Sequence, residues 1–140
     1  MSTLPRVLFL YDNRVSLTRE VLLGIARYTR LQGAWFIERD ISYYLRQKQI
    51  DFTEVERWHP DGIICLNLPT RQEPFIHKII NMGLPLIIKG INEPIKGAIN
   101  ILSDNDLIAH MAAEHLLALG LPHYAYCGFE HMLWSNERFH

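Results

Sequence analysis

Short, almost unbroken apolar runs alternate with amphipathic segments along this chain, and that alternation constrains its fold more than any other feature. Residues 7–11 are apolar from end to end, 63–68 and 86–89 are apolar but for Asn67 and Lys89, and all three are too short for buried helices. Strands that are buried on both faces read this way, whereas strands with one wet face alternate apolar and polar residues. Between these runs the period changes. Leu17, Val21, Ile25 and Tyr28 recur at helical spacing, Leu22 and Ala26 widen the stripe, and Arg19, Arg27 and Arg30 fall opposite. This predicts a helix over 17–31, closed by Gly33, and a second strand over 34–38. Thr53 and Glu56 have capping-box spacing and start a short helix. Thr70 and Glu73 repeat that spacing ahead of Phe75, Ile76, Ile79 and Ile80, and Gly83 and Pro85 end the helix. A short extended run covers 98–102. Asp104 then caps a helix with an inward face of Ile108, Met111, Ala112, His115, Leu116 and Leu119, stopped by Gly120 and Pro122. A last strand is expected over 124–127 and the start of a further helix over 134–140. Alternating strands and helices of this kind predict an α/β fold, a doubly wound parallel sheet with helices on both faces.

A chain of 140 residues is long enough for one domain with a substantial core. Charge then narrows the function. Fourteen Lys and Arg stand against 15 Asp and Glu, for a formal charge of −1, and the basic residues are scattered. A domain that grips DNA by itself carries a basic face, so any DNA contact belongs to another segment. The start, Met1-Ser2-Thr3-Leu4-Pro5-Arg6, lacks the apolar stretch of a signal peptide, and no apolar run is long enough to span a membrane; a cytoplasmic protein is expected. Cys65 and Cys127 lie in apolar runs and are expected to be reduced and buried.

In a doubly wound sheet, ligands bind in the crevice at the carboxyl ends of the strands. The loops at those ends carry Asp12, Asn13 and Arg14; Asn67 and Thr70; Lys89, Gly90 and Asn92; Ser103 and Asp104; and residues 130–135, including Trp134. Amide, carboxylate and guanidinium groups pair with vicinal hydroxyls, and an indole stacks on the apolar face of a sugar. Simpler readings compete: capping alone accounts for Asp104, and His115 on an apolar face reads as a core histidine. His110 and His115 are wrongly spaced for a metal pair on one helix face, and two distant cysteines make no zinc site. No phosphate-binding loop, dinucleotide fingerprint or nucleophile elbow is present. The sequence therefore predicts no catalytic residue, metal or cofactor.

Four motifs in order resemble one family. Pro60-Asp61-Gly62-Ile63-Ile64 and Gly83-Leu84-Pro85-Leu86-Ile87 are similar to two strand motifs of the ligand-sensing domain shared by LacI/GalR repressors and periplasmic sugar-binding proteins. Ser103-Asp104-Asn105 with Glu114-His115-Leu116-Leu117-Ala118-Leu119-Gly120 resembles the third, and Ser135 with Arg138 resembles the Ser-x-x-Arg that opens the crossover to a second lobe. The resemblance covers residues 6–140 as the N-terminal lobe of a periplasmic-binding-protein-like type I fold. LacI-type repressors place a helix-turn-helix before the first strand, and there is no room for one here. Residues 36–40, Ser103-Asp104-Asn105-Asp106 and Trp134-x-x-Glu137-Arg138 look more like AraC-family xylose operon regulators, which begin with the sensor lobe.

That resemblance implies a sugar-responsive transcriptional regulator. The effector would be a pentose, with xylose foremost, bound between two lobes, and DNA would be contacted by a C-terminal domain not in this chain. It implies a homodimer using the first helix, where Leu23 lies on the outer face. Asp12, Asn13 and Arg14 would be hydroxyl partners, Asp104 both cap and ligand acceptor, Trp134 the stacking ring and Arg138 a bidentate donor. Two alternatives remain open: a transport-type sugar-binding protein, and an enzyme or receiver on a flavodoxin-like sheet. A receiver would need an Asp at the end of the third strand, which here ends in Cys65-Leu66-Asn67.

Overall fold

A computed structural model describes residues 4–11, 17–40, 52–66, 73–90 and 93–140. The chain divides into two compact units, Met1–Ile101 and Leu102–His140. The first unit holds strands β1 (Arg6–Tyr11), β2 (Phe36–Asp40), β3 (Gly62–Leu66), β4 (Leu86–Lys89) and β5 (Ile99–Ile101), with helices α1 (Leu17–Gln32), α2 (Phe52–Trp58) and α3 (Glu73–Asn81). The second holds helices α4 (Asn105–Ala118) and α5 (Leu133–Glu137).

All pairings in the sheet are parallel, in the order β2-β1-β3-β4-β5. This is the expected α/β doubly wound arrangement. The central strands β1, β3 and β4 are largely apolar because each face packs on helices, and the two-residue period sorts the side chains between them. Leu8 and Leu10 of β1, Ile63 and Cys65 of β3, and Leu86 and Ile88 of β4 share one cluster with Val55 of α2 and Phe75, Ile76 and Ile79 of α3. Phe9, Tyr11 and Leu66 point the other way, onto Val21, Leu22 and Ile25 of α1. Phe9 and Tyr11 stack with ring centroids 5.0 Å apart.

The Pro-Asp-Gly turn ties β3 to the start of β1. Asp61 Oδ2 accepts the Arg6 N–H at 2.7 Å, and the Asp61 N–H donates to the Arg6 carbonyl at 2.7 Å. The Arg6 guanidinium lies 4.6 Å from the Trp58 ring, and Trp58 in turn stacks near Phe36. A turn-forming sequence thus sets the register of a long-range strand pair. Asn100 does comparable work within the loop before β5. Its Oδ1 accepts the Ile95 N–H, and its Nδ2 donates to the carbonyls of Ile95 and Ala98, each at 2.9 Å.

Several expectations shift. The second strand is Phe36–Asp40, two residues later than the hydropathy suggested. Helix α2 begins at Phe52, so Thr53 lies within the helix and is not its cap. Tyr28 is exposed and tilts against Trp35, and Ala26 is exposed too, which narrows the stripe of α1. Cys65 is fully buried as expected, but Cys127 is exposed. No strand forms over 124–127, because the unit that holds those residues contains no other strand to supply a ladder. The predicted inward face of α4, including His115, is exposed; Asn105 is the buried residue of that helix. A unit of two helices is too small to bury a complete apolar face. Ile108, Ala112, Leu116, Tyr124 and Tyr126 instead line an open groove within it.

Candidate functional site

The second unit gathers three of the residues singled out from sequence. Asp104 is the N-cap of α4, with extended backbone, and its Oδ1 accepts the Leu107 N–H at 2.9 Å. Capping needs one carboxylate oxygen and leaves the other edge of the group available. The next residue, Asn105, is buried, and its carboxamide is used at both ends. Its Nδ2 donates to Glu137 Oε2 at 2.6 Å, and its Oδ1 accepts from Arg138 Nε at 2.9 Å. One side chain at the start of α4 therefore fixes two consecutive residues at the end of α5.

The Arg138 guanidinium also lies 5.0 Å from the Trp134 ring centroid, one helical turn back on α5. Phe129 approaches the same indole, with centroids 5.9 Å apart and planes at 57°. Trp134 and Phe129 are exposed, and Arg138 is half-buried. With Nε held by Asn105, the terminal nitrogens of Arg138 make no other hydrogen bond among the described residues. A guanidinium held at one edge presents its remaining donors in a fixed direction.

Ser135 anchors this surface from below. It is 1% exposed, and its Oγ accepts the Phe129 N–H at 2.7 Å. The Tyr126 hydroxyl donates to the Ser135 carbonyl at 2.6 Å and lies 3.1 Å from its Oγ. Gly128 passes so close that an added Cβ would stand 2.5 Å from both Ser135 Oγ and Tyr126 Cε1. The loop carrying Phe129 and the helix carrying Trp134 and Arg138 are thereby locked together. His131, between them, adopts a left-handed backbone with φ of 66°, a conformation that costs a non-glycine residue energy.

Asp12, Asn13 and Arg14 lie outside the described residues, as do Asn67, Thr70 and Asn92. Lys89 ends β4 in register with Leu66 and Ile101, at the carboxyl edge of the sheet. Asn105, Glu137 and Phe129 were not singled out for a site. Asn105 and Glu137 stand beside residues that were, and the signal was the pair of polar residues that follows a capping Asp. Phe129 offered no sequence signal beyond its loop.

Chemically, the surface offers a carboxylate edge, an oriented guanidinium and exposed aromatic rings. It suits hydrogen bonding and stacking. Burial pushes the Cys65 thiol far above its usual range, so the thiol is held protonated in the core. Among the described residues, no group of three or more His, Cys, Asp or Glu could hold a metal ion, and no helix is long and apolar enough to cross a membrane.

No protein-family profile and no curated protein matches the chain. A solved structure does: an ABC sugar transporter subunit from Rhodobacter sphaeroides 2.4.1, with a TM-score of 0.65 and 19% sequence identity. The match covers 96% of this chain and 49% of that one, so the chain spans about half the length of the structure it resembles. The likeness is one of fold: the chain is built as an α/β lobe of periplasmic-binding-protein-like type.

Proposed function

We propose that this chain is one lobe of a sugar-binding sensor, the effector domain of a transcriptional regulator resembling the AraC-family xylose operon regulators. The observation that carries the reading is the surface of the second unit. There a buried asparagine holds Arg138 by one edge beside the exposed rings of Trp134 and Phe129, in a chain similar in fold to about half of a sugar transporter subunit. Arg138 donates to ligand hydroxyls, Trp134 stacks on the sugar face, and the uncapped edge of Asp104 accepts. Asp12, Asn13 and Arg14 are further hydroxyl partners. The effector is a pentose, with xylose the first to test. A second lobe closes over it, and closure is stabilised by the ligand's differential affinity for the closed state and by no more than that. The protein is cytoplasmic, and its DNA-binding part lies outside this chain. Two copies pair through the outer face of α1, where Leu23 is 45% exposed.

The test is calorimetry on the product of the complete reading frame, with xylose and other aldopentoses. The reading expects micromolar binding, a loss of roughly 100-fold or more in Arg138→Ala from removal of a charged hydrogen-bonding group, and little or no binding by residues 1–140 alone. No binding of any sugar by the complete product would refute it. A transport-type sugar-binding protein is the second reading, favoured by what the similar structure is. Sequencing the frame past codon 140 separates the two. Helix-turn-helix segments after a second lobe support the regulator, and a second lobe alone supports the transport protein.

A further inference from the structure

We infer that Tyr11 and Lys89 form a subsite at the carboxyl edge of the sheet that takes one ligand oxygen between them, in a sugar a single hydroxyl. The inference rests on the sugar-binding reading and adds two specificity-determining residues to it. Strand register places the pair. Tyr11 ends β1 opposite Leu66 of β3, and Leu66 lies opposite Lys89 of β4. Residues in register on neighbouring strands share a face, so the phenol and the ammonium stand on one side of the sheet with Leu66 between them. Two strand spacings separate their backbones, roughly 10 Å, and both side chains are long enough to converge above Leu66. Tyr11 is also the residue before Asp12, Asn13 and Arg14, so the subsite is continuous in sequence with those hydroxyl partners.

Neither polar group is used by the described fold. Tyr11 is 9% exposed, and its ring stacks on Phe9 at 5.0 Å in the cluster beneath α1. Its hydroxyl makes no hydrogen bond among the described residues. A phenylalanine would fill the same space, and a hydroxyl buried without a partner costs stability. Lys89 is half-buried, and it makes no hydrogen bond or ion pair among the described residues. An ammonium brings three donors and no acceptor, so it needs oxygens from elsewhere. A sugar hydroxyl fits both groups, because its oxygen accepts from Lys89 and still has a lone pair or a proton for the Tyr11 hydroxyl. The carboxyl ends of the strands are also where ligands reach a doubly wound sheet. What the pair reads is position: only a hydroxyl placed above Leu66 meets both groups.

Calorimetry on the complete protein tests this with the aldopentose that binds most tightly and its monodeoxy analogues, each lacking one hydroxyl. Lys89→Met keeps the stem and removes the donors, and should weaken the aldopentose by roughly 10- to 100-fold. Tyr11→Phe removes only the hydroxyl and should weaken it by roughly 2- to 10-fold. Its unfolding midpoint should be no lower than that of the unaltered protein, since the fold supplies that hydroxyl with no partner. One analogue should bind the unaltered protein poorly and lose nothing further in either variant, while the others lose the full factor; that analogue identifies the hydroxyl. If both variants bound the aldopentose within about twofold of the unaltered protein, the inference would be overturned with sugar binding intact. Equal weakening of every analogue by Lys89→Met would overturn it too. So would a lowered midpoint in Tyr11→Phe, which would assign the hydroxyl to the fold. If no aldopentose binds the unaltered protein, the sugar-binding reading itself fails, and the inference with it.

Discussion

Substituting Gly128 by alanine gives a direct measure of how tightly the loop and α5 are locked. The added Cβ would stand 2.5 Å from Ser135 Oγ and 2.5 Å from Tyr126 Cε1, with Tyr126 Cζ at 3.1 Å. Ordinary contacts of that kind begin about an ångström farther out. Neither obstacle is a loose side-chain end: Ser135 is 1% exposed, and the Tyr126 hydroxyl is pinned by Ser135. Something must therefore move, and the Phe129 N–H to Ser135 Oγ bond of 2.7 Å is in the way. Overpacking costs about 1–3 kcal/mol, and a partly buried donor deprived of its partner costs roughly another 1 kcal/mol. A local destabilisation of about 2–4 kcal/mol follows, equivalent to more frequent opening by roughly 30- to 900-fold. Amide hydrogen exchange of Phe129 and Ser135 reads this directly, and sugar affinity should fall with it. The comparison is Gly24→Ala in α1, where an added Cβ meets nothing within 4 Å and the helix gains about 0.5–1 kcal/mol. If Phe129 exchange in Gly128→Ala stayed within threefold of the unaltered protein, the account of a tight lock would be wrong.

Other consequences can be checked with simpler assays. Ile79→Ala removes a side chain with no exposed surface from the cluster under α3, and should cost about 2–5 kcal/mol in urea unfolding; Ile99→Ala, at a largely exposed site, should cost under about 1 kcal/mol. An alkylating reagent should label Cys127 in the folded protein and Cys65 only after unfolding. Because burial raises the Cys65 pKa in the folded state, its contribution is complete below the unfolded-state value. It is lost as pH rises above about 9, where the unfolded chain releases a proton that the folded one retains, at up to about 1.4 kcal/mol per pH unit. Cys65→Ala should flatten that alkaline slope in a series of denaturant melts. Asp104→Ala should destabilise α4 by about 1 kcal/mol through loss of its cap, seen as faster exchange of the Leu107 amide.

The sheet was legible because burial on both faces leaves an unbroken apolar run, a signal that survives without any knowledge of partners. Helix ends were legible where the chemistry is local: Asp104 caps α4 as its side chain and the spacing to Leu107 require. Thr53 misled because a capping-box spacing also occurs inside a helix, and what precedes Phe52 decides which residue is the cap. The run at 124–127 misled for a different reason. An apolar segment becomes a strand only when another strand offers its ladder, and composition does not record that offer. The site divides along the same line. Trp134 was visible as an indole in a strand-end loop, and Arg138 only through the resemblance of its motif. Asn105 was not, because its role is to join residues more than thirty positions away, Glu137 and Arg138.

The place of β1 in the sheet has a consequence for synthesis. Strand β1, which leaves the ribosome ahead of both its sheet neighbours, sits between β2 and β3, and its turn partner Asp61 is 55 residues downstream of Arg6. Phe9 and Tyr11 can pack on α1 early, but Leu8 and Leu10 lack their cluster neighbours Ile63 and Cys65 until β3 has emerged. At roughly 5–20 residues per second, that wait is on the order of 3–10 seconds, far longer than the microseconds in which a hairpin closes. An apolar strand held open that long is a natural client for a chaperone at the exit tunnel. Synonymous codons that slow translation between residues 12 and 61 should lower the yield of soluble protein more than the same codons placed after residue 90.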